Sequence, residues 1–264
     1  MLAVATVGGF ILGGISVAGI HVSTRLIIGC GIILVILTLL VAYLRGRMKL
    51  LPALFVDEMG LDGPYVCDFC SSNNLREACE LTKPFYGHEY VDCSIAEDWR
   101  RKNPKSFVQI TNSQDILCAC FGILALSDSF MEQFIAGRRA DTQLLSDSIC
   151  SFDDSIKCTR LYVSGVVVRD SSTYIGSKRA RVMVWSMLRY LQKIYGLKRK
   201  RELYAIGVTK ESEKLMKHLD FQLVQEGRHR VDKCNLYQYD LSKESWSRLV
   251  ALIGDFSPMT TINF

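Results

Sequence analysis

Two stretches without a charged side chain open the chain, and they restrict its fold more than any other part of it. Met1 to Thr24 carries no charge, Leu26 to Leu44 carries none, and Arg25 alone stands between them. A helix rises 1.5 Å per residue, so about 20 apolar residues cross a hydrocarbon core. Both stretches reach that length, and the short polar segment His21–Arg25 would turn one back against the other. Residues 1–50 are therefore expected to form an α-helical transmembrane hairpin in the lipid bilayer. A cleaved signal peptide fits less well, because no basic stretch precedes the first run and a second run comes at once. Arg45, Arg47 and Lys49 flank the second run on its C-terminal side. The positive-inside rule then puts the rest of the chain on the cytoplasmic face of an inner or plasma membrane. Nine of the ten cysteines lie beyond residue 50, which agrees with a reducing compartment. Gly9, Gly13, Gly14 and Ala18 give the first helix a side nearly free of side chains, suited to close helix packing. That side serves either the second helix of the same hairpin or another copy of the chain, the second choice making a homo-oligomer.

Of the formal net charge of +5, the first fifty residues supply four, since they hold four basic residues and no acid. What remains is close to neutral, so a nucleic-acid binder driven by bulk basicity is not expected. Residues 51–65 read as a connector punctuated by Pro52, Gly60, Gly63 and Pro64. Beyond it, Asn73–Thr82 has the apolar spacing of a helix capped by asparagine, and Ile95–Arg101 predicts a second helix. Ser106–Thr111 and Ile116–Leu126 predict a hairpin, whereas Phe130–Cys150 fits no period. Leu161–Arg169 is β-branched and almost wholly apolar, the pattern of a central strand covered on both faces. Lys178–Tyr195 predicts a helix ended by Gly196. Strands are expected over 202–208, 221–226 and 235–241, with a helix over 211–219. Residues 66–242 thus spell an α/β domain on one mixed sheet, and 243–264 a C-terminal helix and tail.

That element order, together with four segments, resembles the GNAT acetyltransferase superfamily. Leu161-Tyr-Val-Ser-Gly-Val-Val-Val168 is similar to the strand that splays from its neighbour to admit an acyl thioester, and Glu202–Thr209 to that neighbour. Tyr174–Leu191 falls where the family binds pyrophosphate, and Thr209–Phe221 is similar to the closing helix with its Gly-Phe end. The resemblance implies acetyl-CoA or another acyl-CoA as donor, with Val166 and Val168 on the thioester strand. Aligned on the helix, the family's phosphate motif falls on Ile175, Lys178 and Ala180, so Lys178, Arg179, Ala180 and Arg181 are the candidate coenzyme contacts. Cations at a helix N-terminus oppose the helix dipole unless an anion lies nearby. The family's proton-donating tyrosine position falls on Met216 and its glycine on Asp220. Tyr204 and Tyr237 are the candidate catalytic replacements, with Tyr239 also on a nearby strand.

The remaining clusters point to packing. Cys67-Asp-Phe-Cys70 has Cys79, His88 and Cys93 downstream, but no second pair completes a zinc set, and no metal is expected. Cys118 and Cys120 alternate on a strand and so are expected on one face. Lys198-Arg-Lys-Arg201 and Gly227-Arg-His-Arg230 read as solvated basic loops or as contacts to lipid headgroups or a coenzyme phosphate. These features support two functions. One is a membrane-anchored, acyl-CoA-dependent N-acyltransferase acting on an unidentified amine. The other is a catalytically degenerate domain of the same fold that binds a ligand or partner protein and controls a membrane oligomer, as an effector or toxin-like membrane protein would.

Overall fold

The computed structural model describes residues 63–87, 90–196, 198–253 and 260–264. The expected hairpin, with Gly9, Gly13, Gly14 and Ala18, lies outside the described residues. Among the described residues no helix is long and apolar enough to cross a membrane.

The chain runs β1 (Tyr65–Phe69), α1 (Ser72–Tyr86), α2 (Cys93–Lys102), β2 (Phe107–Thr111), β3 (Leu117–Leu124), α3 (Asp128–Ile135), α4 (Phe152–Ser155) and β4 (Arg160–Val168). It continues with α5 (Tyr174–Tyr190), β5 (Arg201–Gly207), α6 (Lys210–His218), β6 (Gln222–Gln225), β7 (Asn235–Leu241), α7 (Lys243–Ile253) and β8 (Thr260–Ile262). One sheet takes the order β6-β7-β5-β4-β3-β2-β1-β8. Strands β1 to β4 are antiparallel neighbours, β4 pairs parallel with β5, and β7 inserts antiparallel between β5 and β6. A parallel pair needs a crossover, and α5 supplies it. The tail expected over 243–264 ends in β8, which pairs parallel with β1 and extends the sheet.

Strand β4 lies centrally, as its apolar run predicts, and its alternation divides the core in two. Leu161 joins Phe121 and Ile123 of β3 against Val182, Met183, Leu188 and Leu191 of α5 and its continuation. Tyr162 faces the other way, with Cys120 and Leu124, toward Leu75, Ala78 and Cys79 of α1, Trp99 of α2 and Phe134 of α3.

Local chemistry sets several boundaries away from the expected ones. Helix α1 is capped not by Asn73 but by Ser71, whose hydroxyl accepts from the Asn74 N–H. Helix α5 starts four residues before Lys178, because the Thr173 hydroxyl accepts from the Gly176 N–H. Its end is a π-helical turn, Leu191–Tyr195, closed by Gly196 at φ +65°. Cys118 and Cys120 part company: a register shift opposite Ile110/Thr111 inserts Cys118 as an extra residue in β3, sending it to the α5 face and Cys120 to the α1 face. Neither basic loop is simply solvated. The Arg201 guanidinium is buried and donates to the carbonyls of Ile156, Cys158 and Gly196. Arg230 is buried in a two-bond ion pair with Asp232 and donates to the Phe134 carbonyl.

Candidate functional site

Strands β4 and β5 pair only from Arg160↔Glu202 to Val163↔Ala205, although β4 continues to Val168. At that point β4 also bulges: Phe121 faces Val166 and Gly122 faces Ser164, leaving Gly165 as the extra residue at φ +56°. A left-handed residue in a strand is readily supplied only by glycine. Gly122 is required for a different reason, since a Cβ there would lie 2.5 Å from the Ser164 hydroxyl and 2.7 Å from the Phe107 ring. The result is a stretch of β4 that has turned away from β5 with backbone groups available. The Val166 N–H donates to the Tyr86 hydroxyl at 3.4 Å, and that hydroxyl lies 3.5 Å from the Val166 carbonyl, both long contacts.

A half-open cavity of about 70 Å³ adjoins this stretch on the α1 face. Its wall takes Leu75, Ala78, Cys79, Thr82 and Tyr86 from α1, Trp99 from α2, and Ser164, Gly165 and Val167 from β4. Asp141 completes it from a one-turn 3₁₀ segment, Asp141–Gln143, fixed where the Trp99 indole N–H donates to the Leu144 carbonyl at 3.0 Å. Asp141 is 7% exposed; its Oδ2 accepts from the Tyr162 hydroxyl at 2.7 Å, and its buried Oδ1 has no hydrogen-bond partner. Burial pushes this carboxyl above the ordinary range, against the Tyr162 hydrogen bond, and the Asp232 charge adds to the rise. The Ser164 hydroxyl, 3% exposed, is also without a partner. Burial likewise raises the Tyr86 phenol, keeping it protonated at neutral pH.

No family model matches the sequence, and no curated protein does. Among solved structures, the chain is similar to FeeM, an N-acyl amino acid synthase from uncultured soil microbes, at 12% identity and TM-score 0.47, over 73% of this chain and all of that one. It is similar to the loading GNATL domain of CurA from Lyngbya majuscula at 12% identity and TM-score 0.47, over 68% of this chain and 98% of that one. It is also similar to Ard1 from Thermoplasma volcanium at 12% identity and TM-score 0.43, over 68% of this chain and 99% of that one.

Of the residues singled out from sequence, two lie on the opened stretch itself and the others around it. Val166 and Val168 are on the diverging stretch of β4, their side chains packed toward α5. Tyr204 lies opposite Tyr162 where the strands are still paired, and its hydroxyl donates to Glu202 at 2.9 Å. Tyr237 is buried on β7, and neither tyrosine lines the cavity. Lys178, Ala180 and Arg181 sit in the second turn of α5, beyond the first-turn amides where a phosphate would be bound. Arg179 is buried, its guanidinium donating to the Asp170 carboxylate at 2.8 Å. Asp170 thus sets one carboxylate of the chain beside Arg179. Met216 is buried in the α5-face core and offers no proton. Asp220, where the resemblance expects a glycine, adopts φ +64°, a left-handed conformation uncommon for other residues. Among the described residues no group of three metal-ligating side chains occurs. Tyr86, Asp141 and Ser164 were not singled out from sequence. The one signal for them was Ser164-Gly165 within an otherwise apolar β-branched run, since a glycine inside a strand marks a bulge or a close approach.

Proposed function

We propose that this domain transfers an acyl group from a thioester to an amine. The observation that carries the reading is the parting of β4 from β5 after Val163 and Ala205, beside a cavity that shares Ser164, Gly165 and Val167 of the same strand. An acyl thioester supplies an activated carbonyl whose C–S bond breaks as a C–N bond to the amine forms. The Val166 N–H is the donor placed to polarise that carbonyl, in exchange for its long contact with Tyr86. The amine arrives as an ammonium and loses two protons. One passes to the Asp141 carboxylate and on to solvent, and the other neutralises the departing thiolate. Tyr86, protonated and beside Val166, is the group placed to deliver the second. Holding the two reactants side by side supplies much of the remaining acceleration.

The fit to coenzyme A differs along its length. The diverging stretch of β4 suits the thioester and its pantetheine arm. At the first turn of α5, the Gly176 N–H is already taken by Thr173, and the Asp170 carboxylate is held nearby by Arg179. A pyrophosphate there would meet a carboxylate, which favours donors recognised chiefly through the thioester arm. The second reading, a binding domain without catalysis, draws support from Met216 and Asp220 at the family's donor and glycine positions. Calorimetric titration of the full-length, detergent-solubilised chain with acetyl-CoA and with CoA separates the two. Saturable binding of acetyl-CoA supports acyl transfer, and silence at millimolar ligand supports the degenerate domain.

A further inference from the structure

Asp141 and Ser164 present two polar atoms, each on a side chain more than nine-tenths buried, to one cavity, and neither atom has a partner. Such groups normally find one, so a molecule received by the cavity must satisfy them. Among the described residues no cation is free for the purpose. Arg230, whose charge acts on Asp141, is committed to Asp232 through bonds of 2.6 and 3.0 Å, and to the Phe134 carbonyl and Gln225. Among the described residues lining the cavity there is no lysine, arginine or histidine. The remainder of the wall is largely apolar, with Leu75, Ala78, Trp99, Phe107 and Val167.

From this arrangement we infer that the cavity selects a small primary amine with an apolar body and no carboxylate, its ammonium held between Asp141 Oδ1 and Ser164 Oγ. The ammonium supplies both hydrogen-bond donors and the missing positive charge. A neutral alcohol supplies at most one donor and no charge. An amino acid brings a carboxylate that no side chain of the wall can neutralise, next to one already buried. At about 70 Å³ the cavity is roughly half the ~150 Å³ that accommodates benzene in an engineered core, so it encloses the ammonium and about two carbons, and the rest of the apolar body lies at its open side. For the fate of the bound amine the inference rests on the acyl-transfer reading, since it names the acceptor of that reaction. Binding itself is independent of it.

The test is calorimetric titration of the full-length chain with isobutylamine, with valine, which is the same skeleton bearing a carboxylate, and with isobutanol, which lacks the charge. Isobutylamine is expected to bind saturably, the other two at least about tenfold more weakly. Asp141→Asn is expected to weaken the amine by about ten- to a hundredfold, the range of a hydrogen bond to a charged group, and Ser164→Ala by less. Should Asp141→Asn fail to fold, the pH profile of the unaltered chain serves instead. Amine affinity should climb as Asp141 ionises and then level off, with Tyr162, Tyr86, Asp232 and Arg230 the other titratable groups around it. Equal or tighter binding of valine, an unchanged Asp141→Asn variant, or no saturable binding of any amine would each overturn the inference, the last leaving the cavity to water alone. Acetyl-CoA titrated into the same samples keeps the two proposals apart. Amine binding without acetyl-CoA binding upholds this inference and overturns acyl transfer, whereas acetyl-CoA binding without amine selectivity overturns this inference alone.

Discussion

The two faces of the central sheet are built to different standards. On the α5 face, Leu161, Phe121, Ile123 and the inward side of α5 are almost all apolar, buried and in mutual contact. The α5 face also holds two hydroxyls without partners, Ser186 and Tyr195. What sets the α1 face apart is a void, among equally apolar side chains, whose wall carries the Asp141 carboxyl and the Ser164 hydroxyl. Close packing of the first kind is what a core needs for stability. Unsatisfied groups and unfilled space lower stability, and sites of function are where proteins tolerate them. Strand β4 therefore serves both ends at once. Its odd-numbered residues before the bulge anchor the fold, while Tyr162 and Ser164 on the other side support and line the site.

Four substitutions probe the contrast between the closed and the open face. The largest effect belongs to Leu161→Ala on the closed face, which should cost about 2–5 kcal/mol in urea unfolding, since a fully buried side chain leaves a cavity behind. Tyr86→Phe on the open face should lower kcat by about a hundredfold or more if the phenol delivers a proton, with the unfolding midpoint nearly unchanged. Asp141→Asn should raise the thermal midpoint at neutral pH. The folded Asp141 carboxyl holds its proton to higher pH than the unfolded one does, so the stability it contributes is complete below the unfolded value and is lost as pH rises through the folded value. The advantage of the asparagine variant should therefore shrink as pH falls toward the unfolded value and be absent below it, as melting curves across acid pH will show. Ala78→Leu, which adds volume into the void, should change stability by less than the ~1–3 kcal/mol that overpacking costs in a filled core, yet abolish isobutylamine binding.

Legibility in the sequence divides along the same line. The closed face was legible: a β-branched run marks β4, and apolar residues at three- and four-residue steps mark α5, because close-packed faces impose a period on the chain. The open face was not. Asp141 lies in the stretch 130–150, where, beyond the end of α3, two 3₁₀ turns (Asp141–Gln143 and Ser146–Ser148) and irregular backbone carry no period to read. Tyr86 comes after Pro84, past the expected end of α1 at Thr82, although the helix continues over that proline. The parting of the strands depends on one bulge at Gly165, and a single inserted residue reverses every facing after it. The same effect placed Cys118 and Cys120 on opposite faces. Arg179 reads as a coenzyme contact, and Arg201 and Arg230 as solvated loops or contacts to lipid or coenzyme phosphate, yet each is buried by partners distant in the chain or hidden in turns: Asp170, three backbone carbonyls, and Asp232 with the Phe134 carbonyl.

Whether the opened β4 and the adjoining cavity form one reaction site is decided by mass spectrometry of the full-length chain incubated with acetyl-CoA and isobutylamine, with Asp141→Asn beside the unaltered protein. The unaltered chain should yield N-isobutylacetamide and free CoA in equal amounts, with a large reduction for Asp141→Asn. Amide formation no faster than the protein-free control, or equal from both proteins, would contradict a single site.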